Sequence, residues 1–167
     1  WIEVAGCRMY SCYFSPNVSL QRFLDDLHDL ENDVRTSTLP IIMAGDFNAW
    51  STEWGSATTN RRGSILGDVA ASLHLHIANV GTEFTFRRGV TGSVVDVTFA
   101  SEEIIGQVKR WRVLNDYTHS DHQYVSFSLE RGPRSGRPGN FTIGGWSLRS
   151  LDQETLEVMV ENLKTSV

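Results

Sequence analysis

Two short apolar runs, Leu39 to Ala44 and Val94 to Phe99, each carry one aspartate where a strand would end or be interrupted. Short runs of this kind read as strands buried on both faces, the type found at the centre of an α/β sheet. Asp46 falls just past the first run, inside Gly45-Asp46-Phe47-Asn48, and Asp96 sits among Val94, Val95, Val97 and Phe99. A carboxylate there costs roughly 2 kcal/mol or more unless a hydrogen bond, a cation or a reaction uses it. Open α/β sheets place their ligands beyond the C-terminal ends of their strands, which is the position of Asp46. A third acidic segment, Ser120-Asp121-His122, precedes an alternating run in which Val125, Phe127 and Leu129 share one face, expected to be buried.

One Asp, one Asn, a second Asp and an Asp-His pair, in that order, are what metal-assisted cleavage of a phosphate ester needs. Hydrolysis of a phosphodiester builds charge on the oxygens around phosphorus, so the catalyst must hold a hard cation, place a water and stabilise that charge. Mg²⁺, with Mn²⁺ as a substitute, takes oxygen ligands, and Asp46, Asn48 and Asp121 supply them. His122 can donate to a phosphoryl oxygen or act as acid or base near neutral pH. Asp96 is the candidate carboxylate that fixes its ring, at an expected distance of roughly 2.7–2.9 Å. Asp46 is then the base, or the orienting group, for the attacking water. Each residue also has a structural reading: a turn cap for Asp46, an Asx-turn for Ser120-Asp121, an ordinary polar side chain for His122.

The rest of the chain reads as alternating elements. A strand over 8–14 ends at the turn signal Ser15-Pro16-Asn17. A helix follows, capped by Ser19 or Asn17, with Leu20, Phe23, Leu24, Leu27, Leu30 and Val34 at helical spacing. Residues 49–60 are rich in Ser, Thr and Trp and read as a surface loop, in which Trp50 and Trp54 either anchor packing or meet nucleobases or sugars. A second helix turns Ile65, Leu66, Val69 and Leu73 inward. Short strands are expected near 75–79, 84–87, 94–100, 108–113 and 123–129. Arg87-Arg88-Gly89-Val90-Thr91-Gly92 reads as a hairpin tip carrying two cations. Residues 131–149 open with a proline, glycine and arginine break that reads as a linker, and the segment 150–167 as an amphipathic helix with Leu156, Met159, Val160 and Leu163 on one face.

The order Gly-Asp-Phe-Asn, Ser-x-x-Asp and Ser-Asp-His resembles the endonuclease/exonuclease/phosphatase superfamily. Tyr13 to Asn17, Tyr-Phe-Ser-Pro-Asn, is similar to the Tyr-x-Pro-Asn strand end of its abasic-endonuclease branch, with one extra residue. Asn48-Ala49-Trp50, Trp54-Gly55-Ser56, Arg62-Gly63 and Thr85-Phe86 resemble the endonuclease domain of non-LTR retrotransposons, the R1-like type nearest. The resemblance implies a two-sheet α/β sandwich with flanking helices, of the DNase I-like kind. It implies a metal-dependent nuclease that nicks a chromosomal target so that a reverse transcriptase can prime on the new 3′-hydroxyl. Tyr13 joins the catalytic set on this basis, and Arg87, Arg88 and Trp50 become candidate DNA contacts. The family also carries an Asn and a metal-binding Glu ahead of the Tyr strand, to which Glu3 and Glu31 do not correspond. Residues 1–130 are thus expected to be a C-terminal part of the domain, of little or no activity alone, with 150–167 leading toward a reverse transcriptase of the same polyprotein. A phosphatase of the same superfamily and an inactive remnant are the alternatives.

Composition bounds the partners. With 15 basic and 20 acidic residues the net charge is −5, which excludes a passive nucleic-acid coat but not a nuclease. Cys7 and Cys12 stand five apart in a strand, on opposite faces, so no disulfide between them is expected. No apolar run approaches the ~20 residues needed to cross a membrane. Double-stranded DNA and a nuclear location follow from the resemblance.

Overall fold

The computed structural model describes residues 1–130; the expected linker and the expected helix at 150–167 lie outside the described residues. Its centre is a five-stranded mixed sheet in the order β1-β2-β3-β7-β4, formed by β1 (Ile2–Val4), β2 (Cys7–Tyr13), β3 (Ile41–Asp46), β7 (Asp96–Ser101) and β4 (Leu75–Ile77). β2 and β3 run parallel, joined by helix α1 (Leu20–Arg35), while β7 lies antiparallel to both β3 and β4. β3 extends two residues beyond the apolar run, so Asp46 is the last residue of the strand and not a residue past its end.

Strand parity divides the side chains between two cores. One face of the sheet, carrying Tyr10, Ile41, Met43, Val97 and Phe99, packs against α1 and against α2 (Arg61–Ser72). Phe23 and Leu27 of α1 and Leu66 of α2 are fully or nearly fully buried there. Ser19 caps α1 by accepting the Arg22 N–H, and Asn60 caps α2 by accepting that of Gly63. The opposite face, carrying Cys7, Met9, Ile42 and Ala100, packs against α3 (Glu102–Ile105) and against the antiparallel pair β8 (Val108–Val113) and β9 (Val125–Leu129). Trp111 of β8 fastens the layers by donating its indole N–H to the buried Thr98 hydroxyl at 3.0 Å. Cys7 and Cys12 thus belong to different cores, and both are free thiols.

Two local expectations differ from what is found. Residues of β9 are uniformly half-buried, because the strand pairs on one side only and covers a small core. The hairpin strands are β5 (Phe86–Arg88) and β6 (Thr91–Ser93), so Arg87 and Arg88 end β5, and the tip is Gly89–Val90. Close backbone approach fixes Gly45, where an added Cβ would lie 1.9 Å from the Cys12 carbonyl oxygen of the adjacent strand.

Candidate active site

Register brings Tyr13, Asp46 and Asp96 to one end of the sheet. Tyr13 is the β2 neighbour of Asp46, and Asp46 stands opposite Asp96 in the β3–β7 ladder, so all three point to the face bearing Cys7 and Ile42. Tyr13 remains 70% exposed, with room for a ligand beside its ring.

Asp46 is nearly enclosed. Asn48, whose φ of +45° turns the chain sharply after the strand, donates its backbone N–H to Asp46 Oδ1 at 2.9 Å and its amide to Oδ2 at 2.7 Å. The same amide donates to the Phe14 carbonyl at 3.0 Å, which ties the ends of β2 and β3 together. Burial pushes the Asp46 carboxyl above its ordinary value, the Asn48 backbone bond opposes this, and the Asp96 charge adds to it.

His122 reaches these carboxylates from outside the sheet. Its Nδ1 lies 3.0 Å from Asp96 Oδ2 and 3.2 Å from Oδ1, a contact shared over both oxygens and longer than a single charge-assisted bond. Its Nε2 lies 3.7 Å from Asp46 Oδ2. The ring is held by the edge of Phe86, with centroids 5.1 Å apart, and the His122 backbone bridges to Phe86. Arg87 N–H donates to the Asp121 carbonyl and Gln123 N–H to that of Thr85, both at 2.7 Å. The hairpin strand β5 and the His122 loop are thereby stitched into one backbone unit.

The remaining candidates take other positions. Asp121 is half-exposed and paired to Arg88, 3.2 Å away, and no hydrogen bond joins it to Asp46 or Asn48 among the described residues. Arg87 pairs with Glu83 at 3.2 Å. Trp50 is 44% exposed, whereas Trp54 is a core residue whose indole donates to the Ala49 carbonyl. Among the described residues no three His, Cys, Asp or Glu side chains are grouped to hold a metal ion. Of the expected Asp46, Asn48 and Asp121 ligands, each Asp46 oxygen accepts one bond from Asn48, and Asp121 meets Arg88 through Oδ2 alone.

Thr85 and Asn79 brace the site and were not singled out as site residues from the sequence. The fully buried Thr85 hydroxyl accepts the N–H groups of Val95 and Asp96, each at 3.0 Å. Asn79 donates to the Asp96 carbonyl at 3.0 Å and accepts from Thr98 N–H at 2.8 Å. Both work on backbone groups, which leave no trace in residue spacing. The signal at Thr85 was the Thr85-Phe86 pair within the family resemblance, which marks the position but not the backbone bonds it makes.

A two-layered α/β fold with carboxylates and a histidine gathered at one sheet end is the endonuclease/exonuclease, DNase I-like class. The chain belongs to the endonuclease-reverse transcriptase family, whose profile matches residues 7–126. Among solved structures it is similar to the endonuclease domain of TRAS1, a telomere-specific non-LTR retrotransposon, at 35% identity and a TM-score of 0.61 over 71% of this chain. It spans 53% of that domain, about half its length. A 3′-5′ exonuclease from Neisseria meningitidis shares the fold at 16% identity and a TM-score of 0.62, over 77% of this chain and 63% of its own. A Neisseria 3′ phosphatase bound to a product DNA hairpin gives 16% and 0.59 over the same shares of each chain. No curated protein sequence matches the chain.

Proposed function

We propose that this chain carries the Asp–His–Asp part of a DNA endonuclease that nicks duplex DNA for target-primed reverse transcription of a retroelement. The observation that carries this reading is His122 placed between Asp96 and Asp46 at the sheet end, in a chain of this family. A protonated His122 donates one N–H toward each carboxylate and presents its charge where a phosphoryl oxygen gains negative charge. Asp46, desolvated and held by Asn48, takes the proton of an attacking water. The water oxygen bonds to phosphorus, the bond to the leaving sugar oxygen breaks, that oxygen takes a proton from solvent water, and Asp46 returns its proton to solvent. Tyr13, exposed beside Asp46, is placed to orient the phosphate.

Mg²⁺, or Mn²⁺, remains part of the proposal as the source of Lewis acidity, and no step above depends on it. Double-stranded DNA is the proposed substrate, a reverse transcriptase domain of the same polyprotein the proposed partner, and the nucleus the proposed location. The adjacent, solvent-accessible Arg87 and Arg88 at the end of β5 support a DNA-facing role for this hairpin.

The test is nicking of supercoiled plasmid with Mg²⁺ or Mn²⁺, with and without a chelator, by the chain and by a longer chain containing the whole domain. Chelator-sensitive nicking lost in H122A is the expected outcome. Phosphate release from a soluble monoester without nicking would assign the site to a phosphatase instead, and inactivity of both proteins would mark a remnant.

A further inference from the structure

Five and three residues before His122, the loop between β8 and β9 carries an aromatic pair that the reaction above does not use. Tyr117 is 82% exposed, and its ring meets that of His119 with centroids 4.3 Å apart at 59°. The tilt leaves most of the Tyr117 surface uncovered. His119 holds a left-handed φ of +55°, uncommon for a residue with a side chain. The loop around it is nonetheless tied down. Thr118 Oγ1 lies 2.7 Å from the His122 carbonyl and accepts the Ser120 N–H, the Ser120 hydroxyl accepts the His122 N–H, and Leu114 N–H closes the base on Tyr124. An exposed aromatic pair on a loop fixed to this degree is a surface set in advance for a flat partner.

Tyr117, His119, Ser120 and Asp121 line a shallow, open cleft on the surface. The Asp121 carboxylate on its wall is partly offset by Arg88, 3.2 Å from its Oδ2. Tyr117 stands five residues from His122, a reach of at most about 18 Å, so the platform lies within about five nucleotide steps of a phosphate at His122. The exposed Tyr117 ring offers a base a stacking face, a contact worth about 5- to 100-fold in affinity per base on aromatic platforms.

We propose that Tyr117 and His119 form a stacking platform for one nucleobase of the DNA strand held at His122. The inference rests on the endonuclease reading and adds a base-binding subsite to it. The platform selects unstacked or deformable positions, because a base must leave or open the helix to reach it.

The experiment measures binding of the full chain to fluorescein-labelled oligonucleotides at low salt, in a series in which each base in turn is replaced by an abasic spacer. Tyr117→Ala should weaken binding about 5- to 100-fold, while Tyr117→Phe and Tyr117→Trp hold it near wild type and Tyr117→Leu does not. One abasic position should cost the wild-type chain a similar factor and cost the Tyr117→Ala chain nothing further. Circular dichroism checks that this exposed substitution leaves the fold intact. Wild-type binding that survives Tyr117→Ala, or an abasic penalty that persists in that variant, overturns the platform alone. A wild-type chain that binds none of the oligonucleotides overturns the endonuclease reading and the platform with it.

Discussion

Asp46 and Asp96 stand directly opposite each other in the antiparallel ladder of β3 and β7. Neighbouring carboxylates on one sheet face repel unless a cation or a donor lies between them, and His122 reaches both. Asp96→Asn should therefore keep the fold but slow phosphodiester cleavage by a domain-length enzyme about 10²- to 10⁴-fold, since an amide no longer fixes the imidazole. His122→Ala should be no less damaging. Plasmid nicking rates alongside circular dichroism check both, and equal rates for D96N and wild type would remove Asp96 from the machinery.

Stability should follow pH through Asp46. Its carboxyl is pushed above the ordinary value of 3.8, burial being the main cause. The stabilising effect of the neutral form is complete below the unfolded value and is lost as pH rises through the folded one. In Asp46→Asn that loss is absent. The melting temperature of D46N relative to wild type should thus climb from about pH 3 toward neutrality and level off above the raised value. A difference that is flat with pH contradicts the desolvated carboxylate.

Thr85→Val leaves two backbone N–H groups without their acceptor in a fully buried position. Each orphaned donor costs about 1–3 kcal/mol, so a loss of roughly 2–5 kcal/mol is expected in urea unfolding. Thr85→Ser keeps the hydroxyl and should cost much less.

The cysteines should be silent in the folded chain. Burial pushes the Cys12 thiol up to about 12, and Cys7 is enclosed in the second core. Ellman's reagent should find close to no reactive thiol in the native chain and two in denaturant. Rapid native labelling would mean that the sheet opens at β2.

Arg87 and Arg88 are already paired with carboxylates, so DNA phosphates must draw them away from Glu83 and Asp121. Both pairs are partly exposed, and exposed pairs are weak and readily screened. Replacing both arginines with alanine should reduce the slope of log binding constant against log salt by roughly 1–2. If one reads a base edge or a narrowed groove, nick positions on a long duplex should move as well.

The central strands were legible because Leu39 to Ala44 is a continuous apolar run and Val94 to Phe99 is broken only by Asp96 and Thr98, and the helices because Phe23 and Leu27, and Leu66 and Leu73, stand at helical spacing. Asp46, Asp96 and His122 drew notice through the cost of placing them near such runs. Strand β1 and helix α3 escaped notice: the first is a three-residue exposed edge and the second a single turn, too short for periodicity to register. The bracing roles of Thr85 and Asn79 were illegible for another reason. Their partners are main-chain groups brought near by pairing of β7, and no residue pattern encodes that meeting. Asp121 reads from sequence as a cation ligand, yet its orientation depends on where the hairpin places Arg88, a tertiary fact.

The two short bonds that join Thr85 and Arg87 to the Asp121–Gln123 backbone make hairpin and histidine loop one mechanical part. A hairpin transplanted from a relative would arrive with its own seat for His122. Retargeting by exchange of that hairpin alone would then alter turnover together with sequence preference, and a graft that carries residues 84–93 and 117–123 as a pair is the smaller perturbation.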